Sequence, residues 1–150
     1  MKLLFLVLIS LGTLQAEYIR ENSVVYDSST ALYWQDNGDV NSTSLTWIES
    51  LNYCESLTFN GQNDWHLPNI NELMSIVDYT NLSRSIVPQA LHNTFRSGRE
   101  SEQWTSTTTA DYDSNLSWTQ DAWYVFFKYG YRTSDRTSSE HDARCVRGGL

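Results

Sequence analysis

Positive charge is scarce in this chain: ten lysines and arginines stand against eighteen aspartates and glutamates, for a formal net charge of −8 at pH 7. That balance disfavours general attraction to nucleic acid or to an anionic membrane, because both are polyanions. Long apolar runs are equally rare. The one at the start, Leu3 to Leu11 broken only by Ser10, falls short of the ~20 residues a membrane span needs. It follows the short basic start Met1-Lys2, and Leu14-Gln15-Ala16 ends in the small residue that signal peptidases prefer before the cut. Residues 1–16 therefore read as a secretory leader, and residues 17–150 as one domain, periplasmic or secreted, without a membrane span. No cysteine follows the cut, so a bacterial lipid anchor is not expected there.

Cysteine is limited to two, Cys54 in a helix-like run and Cys145 near the end. An exported chain meets an oxidising compartment, where an even count reads as one bridge. The alternative is a pair of free buried thiols. A redox-active pair is disfavoured, because neither cysteine lies in a C-x-x-C motif that would lower its pKa. Closing so long a loop removes denatured-state freedom worth roughly 4–5 kcal/mol on the chain-entropy account.

Motifs of chemistry are missing as well. There is no G-x-S-x-G and no H-E-x-x-H, and His66, His92 and His141 lie far apart, so neither a nucleophilic site nor zinc is expected. His141, between Glu140 and Asp142, is a lone loop histidine beside acids and reads as plain surface. Asp36-Asn37-Gly38-Asp39-Val40-Asn41 has oxygen donors for calcium, yet an EF-hand count from Asp36 puts Trp47 where a bidentate glutamate is required. It reads as a capped polar loop, and Asp111-Tyr112-Asp113-Ser114-Asn115 is an equally unspecific second stretch. The expectation is a non-catalytic protein with no cofactor, a structural calcium ion having donors but no motif. Asn41, Asn81 and Asn115 head glycosylation sequons, which matter only in a eukaryotic host.

Aromatics are what the chain has in quantity, with six tryptophans and nine tyrosines. Such side chains serve irregular cores and sugar-binding faces alike. Val24 to Tyr26 and Ala31 to Trp34 read as short strands around a polar turn. Trp47, Ile48, Leu51, Cys54 and Leu57 fall at helical spacing, with Thr46 and Glu49 forming a capping box. Trp65-His66-Leu67-Pro68 is extended, and Asn69 with Glu72 opens a second helix whose stripe is Ile70, Leu73, Met74 and Val77. Residues 79–102 are polar and irregular, containing Pro88. Strand signals return at Glu102 to Thr108, at Ala122 to Tyr129 before Gly130, and at Arg144 to Arg147. Lys128, Arg132, Arg136, Arg144 and Arg147 read as solvated or ion-paired surface. Early helices and a sheet drawn from both chain ends make this an α+β protein.

Several of these stretches occur together in a specific order. They are Val25-Tyr26-Asp27 with Leu32-Tyr33-Trp34-Gln35-Asp36, the helix around Cys54, and Asp64-Trp65-His66-Leu67-Pro68-Asn69 with Glu72-Leu73. Trp104-Thr105-Ser106-Thr107, Ala122 to Phe127 with Gly130, and Arg144-Cys145-Val146-Arg147 complete the set. In this order they resemble the Lcl C-terminal domain family, named for the terminal domain of a bacterial collagen-like adhesin, from about residue 24 to 149. The resemblance implies a C-type-lectin-like fold, related to that of formylglycine-generating enzymes. Two helices would pack on a mostly antiparallel sheet closed by the N- and C-terminal strands, with long irregular loops. It also implies that a cysteine of the first helix bridges to the last strand.

Four departures qualify the resemblance. The family's usual arginine between Trp and Leu-Pro is His66 here. The sulfated polysaccharide bound by the adhesin suits this acidic chain poorly. The Glu-Pro-Asn and Gln-Pro-Asp motifs of true C-type lectins are absent, and both cysteines are committed if bridged. The implied function is a binding or adhesion module for a glycan or surface polymer, contacted by late-loop residues Trp104, Asp111, Asn115, Trp118, Lys128 and Tyr129. A protein–protein interaction domain of an envelope complex is the alternative, and an enzyme of the formylglycine-generating type is a weaker third reading. Oligomeric state is left open.

Overall fold

Short strands and tight turns come first. Tyr18–Glu21 (β1), Val24–Asp27 (β2) and Leu32–Gln35 (β3) form an antiparallel meander in a computed structural model that describes residues 17–84, 89–109 and 120–149. A single 3-10 turn follows at Gly38–Asn41. Helix α1 is Trp47–Ser56. The Thr46 side chain accepts from the Glu49 amide, and the Glu49 carboxylate accepts from the Thr46 amide at 2.9 Å. Two otherwise unpaired helix-end donors are thereby satisfied. Helix α2, Ile70–Ser75, opens on the same device with Asn69 and Glu72. Helix α3 is Tyr79–Arg84, and Glu102–Thr108 (β4), Asp121–Phe126 (β5), Tyr131–Arg136 (β6) and Val146–Gly148 (β7) complete the described elements.

The molecule is α+β, but its strands make two antiparallel sheets instead of the single closed sheet expected. One has the order β1-β2-β3-β7 and the other β4-β5-β6. Strand β7 pairs with β3, so the N-terminal strand β1 stays at the far edge. The reason lies in how the other edges are occupied. His66 exchanges backbone bonds with Val146 at 2.8 and 2.9 Å, which caps the free side of β7. Asp142 does the same along β4, accepting from the Trp104 amide at 3.0 Å and donating to Glu102 at 2.9 Å. The extended segments around His66 and Asp142 therefore stitch the sheets together without merging them. Helix α3 and the 3-10 turn fall in stretches that read as irregular and as polar loop, while β1 and β6 have no element assigned to them in the sequence.

Two apolar clusters fill the interior. The first places Val25, Leu32, Trp34 and Val146 from the four-stranded sheet against Leu73, Ile76, Phe95, Val125 and Phe127. The second gathers Val24, Cys54, Trp65, Leu67, Trp104 and Cys145. Cys54 and Cys145 are bridged, with a Cα separation of 5.4 Å and 91 residues between them in sequence. Cys145 sits one residue before β7, so the bridge ties α1 to the closing strand.

Arg144 is a further departure from the sequence reading, being fully buried instead of on the surface. Its guanidinium donates to Gln35 O at 2.7 Å, Ser97 O at 2.6 Å, Gln103 Oε1 at 3.1 Å and Asp36 Oδ1 at 3.3 Å. Burial, with the Arg20 charge adding to it, pulls Arg144 down to about 9, which still leaves it charged at neutral pH. Asp36 is held in turn by Arg20 and by the amides of Arg96 and Ser97. Gly98 makes room for this network: at its φ of +70°, a Cβ would lie 2.7 Å from the Arg144 guanidinium. No helix among the described residues is long and apolar enough to cross a membrane.

Candidate functional site

The turn between β5 and β6 carries two of the residues singled out in the sequence. Phe127 anchors it, being fully buried and bonded through its backbone to Ser101 and Ala90 at 3.1 and 2.7 Å. Gly130 closes it with φ +71°, donating to Phe126 O at 2.8 Å. Any Cβ at Gly130 would come within 2.6 Å of Ala90 Cβ, so the turn packs tightly on the chain behind it. This rigid base pushes the flanking aromatics outward.

Tyr129 and Tyr131 are 47% and 46% exposed, and their rings lie 4° from parallel with centroids 6.3 Å apart. Phe126 meets both edge-on, at 5.2 and 5.7 Å. Lys128 Nζ stands 5.8 Å from the Tyr129 ring centroid and 3.9 Å from Glu100 Oε2. Tyr79, also exposed, donates its hydroxyl to Gly130 O at 2.9 Å. The result is a firm platform of aromatic faces with a cation and a carboxylate at its rim. Flat rings of this kind offer apolar area at little conformational cost.

Trp104 has a different place from the one expected for a ligand contact. It faces inward on β4, fully buried, with Nε1 donating to Leu45 O at 2.9 Å. Its ring packs edge-on against Tyr124 and His141, which leaves no open face. Asp111, Asn115 and Trp118 lie outside the described residues.

His141 is also displaced from its expected role as plain surface. Its imidazole stacks on Tyr124 at 4.2 Å, with Nδ1 3.0 Å from Glu102 Oε2 and Nε2 3.2 Å from Asp135 Oδ2. The acids beside it in sequence, Glu140 and Asp142, are not these partners, so local reading had no signal for them. Asp142 is pushed up to about 6, first by burial and then by the charge of Glu102. Among the described residues no group of three or more His, Cys, Asp or Glu is placed to hold a metal ion. The Asp36 oxygens are taken up by Arg20, Arg144 and two backbone amides.

Of the remaining basic residues, Arg147 grips both carboxylate oxygens of Asp64 at 2.6 and 3.1 Å. Arg132 lies 5.9 Å over the Trp123 ring. Arg147, Arg132 and Lys128 are thus each engaged by a carboxylate or an aromatic ring. Residues 23–147 match the model of the Lcl C-terminal domain family. No curated protein matches the chain. The chain belongs to the Lcl C-terminal domain family.

Proposed function

We propose that this Lcl C-terminal domain is an exported, non-catalytic binding module that adheres to a carbohydrate or related surface polymer on a C-type-lectin-like scaffold. The observation that carries this reading is the exposed, rigidly mounted Tyr129–Tyr131 platform beside Lys128. The lectin-like assignment draws support from family membership and from the bridge between α1 and the segment entering β7. Export draws support from the leader-like residues 1–16 and from the same bridge, since such bonds persist in oxidising compartments. Tyr129 and Lys128 are the proposed contacts on the hairpin, and Trp118, Asp111 and Asn115 are proposed to add stacking and hydrogen bonds.

The test is a glycan array followed by titration of the hits with variants. Tyr129→Ala and Trp118→Ala should each weaken binding about tenfold while the circular dichroism stays native, and Trp118→Phe should bind nearly as well as wild type. Unaltered affinity in both folded alanine variants would remove these side chains from the contact surface.

A second reading, docking to an envelope protein, is favoured by one observation. Strand β6 ends its sheet, and among the described residues no strand pairs with its outer edge. Open edges accept an added strand. A pull-down from envelope extract that succeeds where the array is blank would move the assignment to this reading.

A further inference from the structure

The outer face of the four-stranded sheet departs from the polar surface that a solvated sheet face usually presents. Its register puts Ile19 opposite Tyr26, Tyr26 opposite Tyr33, and Tyr33 opposite Arg147, so one row of side chains crosses all four strands. Ile19 is 44% and Tyr33 37% exposed. The two tyrosine rings lie 4.6 Å apart between centroids, and the Arg147 guanidinium lies 5.1 Å from the centre of Tyr33. Their inward neighbours Val25, Trp34 and Val146 belong to the core, which fixes the row in place.

Two shallow concavities open along this row, of about 210 and 250 Å3, sharing Val24, Tyr33 and Asn60. Glu21 and Tyr26 bound the first, and Gln62 and Arg147 the second. The wall is the turn at Asn60, where φ is +52° and Phe59 and Gln62 exchange backbone bonds at 2.9 and 3.1 Å. Amides, a carboxylate and the Arg147–Asp64 fork therefore rim an aromatic floor that is centred on Tyr33.

We propose that this trough is a second glycan site, away from the β5–β6 hairpin, which takes two adjacent rings of a neutral polysaccharide astride Tyr33. Each concavity lies below the ~300–1,000 Å3 typical of a small-molecule pocket, which suits one sugar ring per subsite. The C–H face of a pyranose matches the tyrosine floor, and its hydroxyls find both donors and acceptors in Asn60, Gln62 and Glu21. A polyanion is disfavoured, since the first concavity carries the carboxylate of Glu21 and the cation of the second, Arg147, is already committed to Asp64. The inference rests on the carbohydrate reading for ligand class, but not for location.

Retention of the full chain on native affinity gels is measured with dextran, laminarin and mannan as probes, and with heparin as the polyanion control. Tyr33→Ala should weaken binding to at least one neutral polymer by about tenfold, while Tyr33→Phe keeps it within about threefold. Gln62→Ala, a turn-surface change that spares the sheet, should weaken it as well. If Tyr129→Ala weakens binding and folded Tyr33→Ala and Gln62→Ala do not, the hairpin reading stands and the trough is overturned. Binding to heparin alone, lost in Arg147→Gln, overturns the neutral-glycan assignment. Absence of binding to every polymer overturns both readings. Loss of a co-purifying protein in Tyr33→Ala, with no glycan bound, reassigns the trough to a protein partner.

Discussion

Asp142 shows how a single side chain here carries a cost at neutral pH. Its carboxyl is pushed up to about 6 by burial and by Glu102, so the folded state favours the protonated form. A raised acid contributes its stability below the unfolded pKa and loses it as pH rises through the folded one, here from about 4 to about 6. Asp142→Asn keeps the shape without the charge. It should gain about 1 kcal/mol at pH 7.5 once solvent screening of this half-buried site is counted, and nothing near pH 3.5. Thermal midpoints at the two pH values check this, and an equal gain at both would contradict it. None of this was legible in sequence. Asp142 reads as one acid in an acidic run, and only the parallel pairing of its segment along β4 puts Glu102 beside it. Trp104 was misplaced for a related reason: composition says that indoles are abundant, while the strand's inward face decides which one can meet a ligand.

At the scale of elements, legibility followed how local the cause was. The starts of α1 and α2 were readable because a capping box is complete within four residues, Thr46 to Glu49 and Asn69 to Glu72. Strands β1 and β6 were not, because YIRE and YRTSDR are polar enough to pass for loop and owe their shape to the strands beside them. The 65–68 segment illustrates both cases. Trp65-His66-Leu67-Pro68 is extended as Pro68 requires, but its role in capping β7 comes from backbone pairing across the fold. His66 also faces Glu72 on α2 at 3.9 Å. The carboxylate raises the histidine above its usual 6.5 against the opposing pull of burial, and His66 in turn leads the lowering of Glu72. Stability from a raised histidine is present at low pH and lost as pH climbs through the folded value, above 6.5. An arginine at this position would stay charged throughout. The midpoint advantage of His66→Arg over wild type should therefore widen between about pH 6 and about pH 8.5. A constant difference across that range would dissociate the pair from stability.

For the whole molecule, the even cysteine count and the leader-like residues 1–16 pointed to the bridge, since parity is a property of the chain as a unit. The division into two sheets was not foreseeable, because it depends on which edges the extended segments occupy. The bridge spans 91 residues and joins α1 to the approach to β7, so Cys145→Ser should cost about 2–5 kcal/mol and strand a thiol at Cys54. An unchanged thermal midpoint in oxidising buffer would show that the restraint is energetically idle.

The central claim, a binding module whose aromatic surfaces meet a polymer, is tested most directly by calorimetric titration of the wild-type protein with its strongest array hit at low and high salt. With a net charge of −8, the domain should bind a neutral glycan with an affinity that is nearly constant from about 50 mM to about 500 mM salt. Binding confined to sulfated polymer and collapsing as salt rises, or no glycan binding at all, would contradict it.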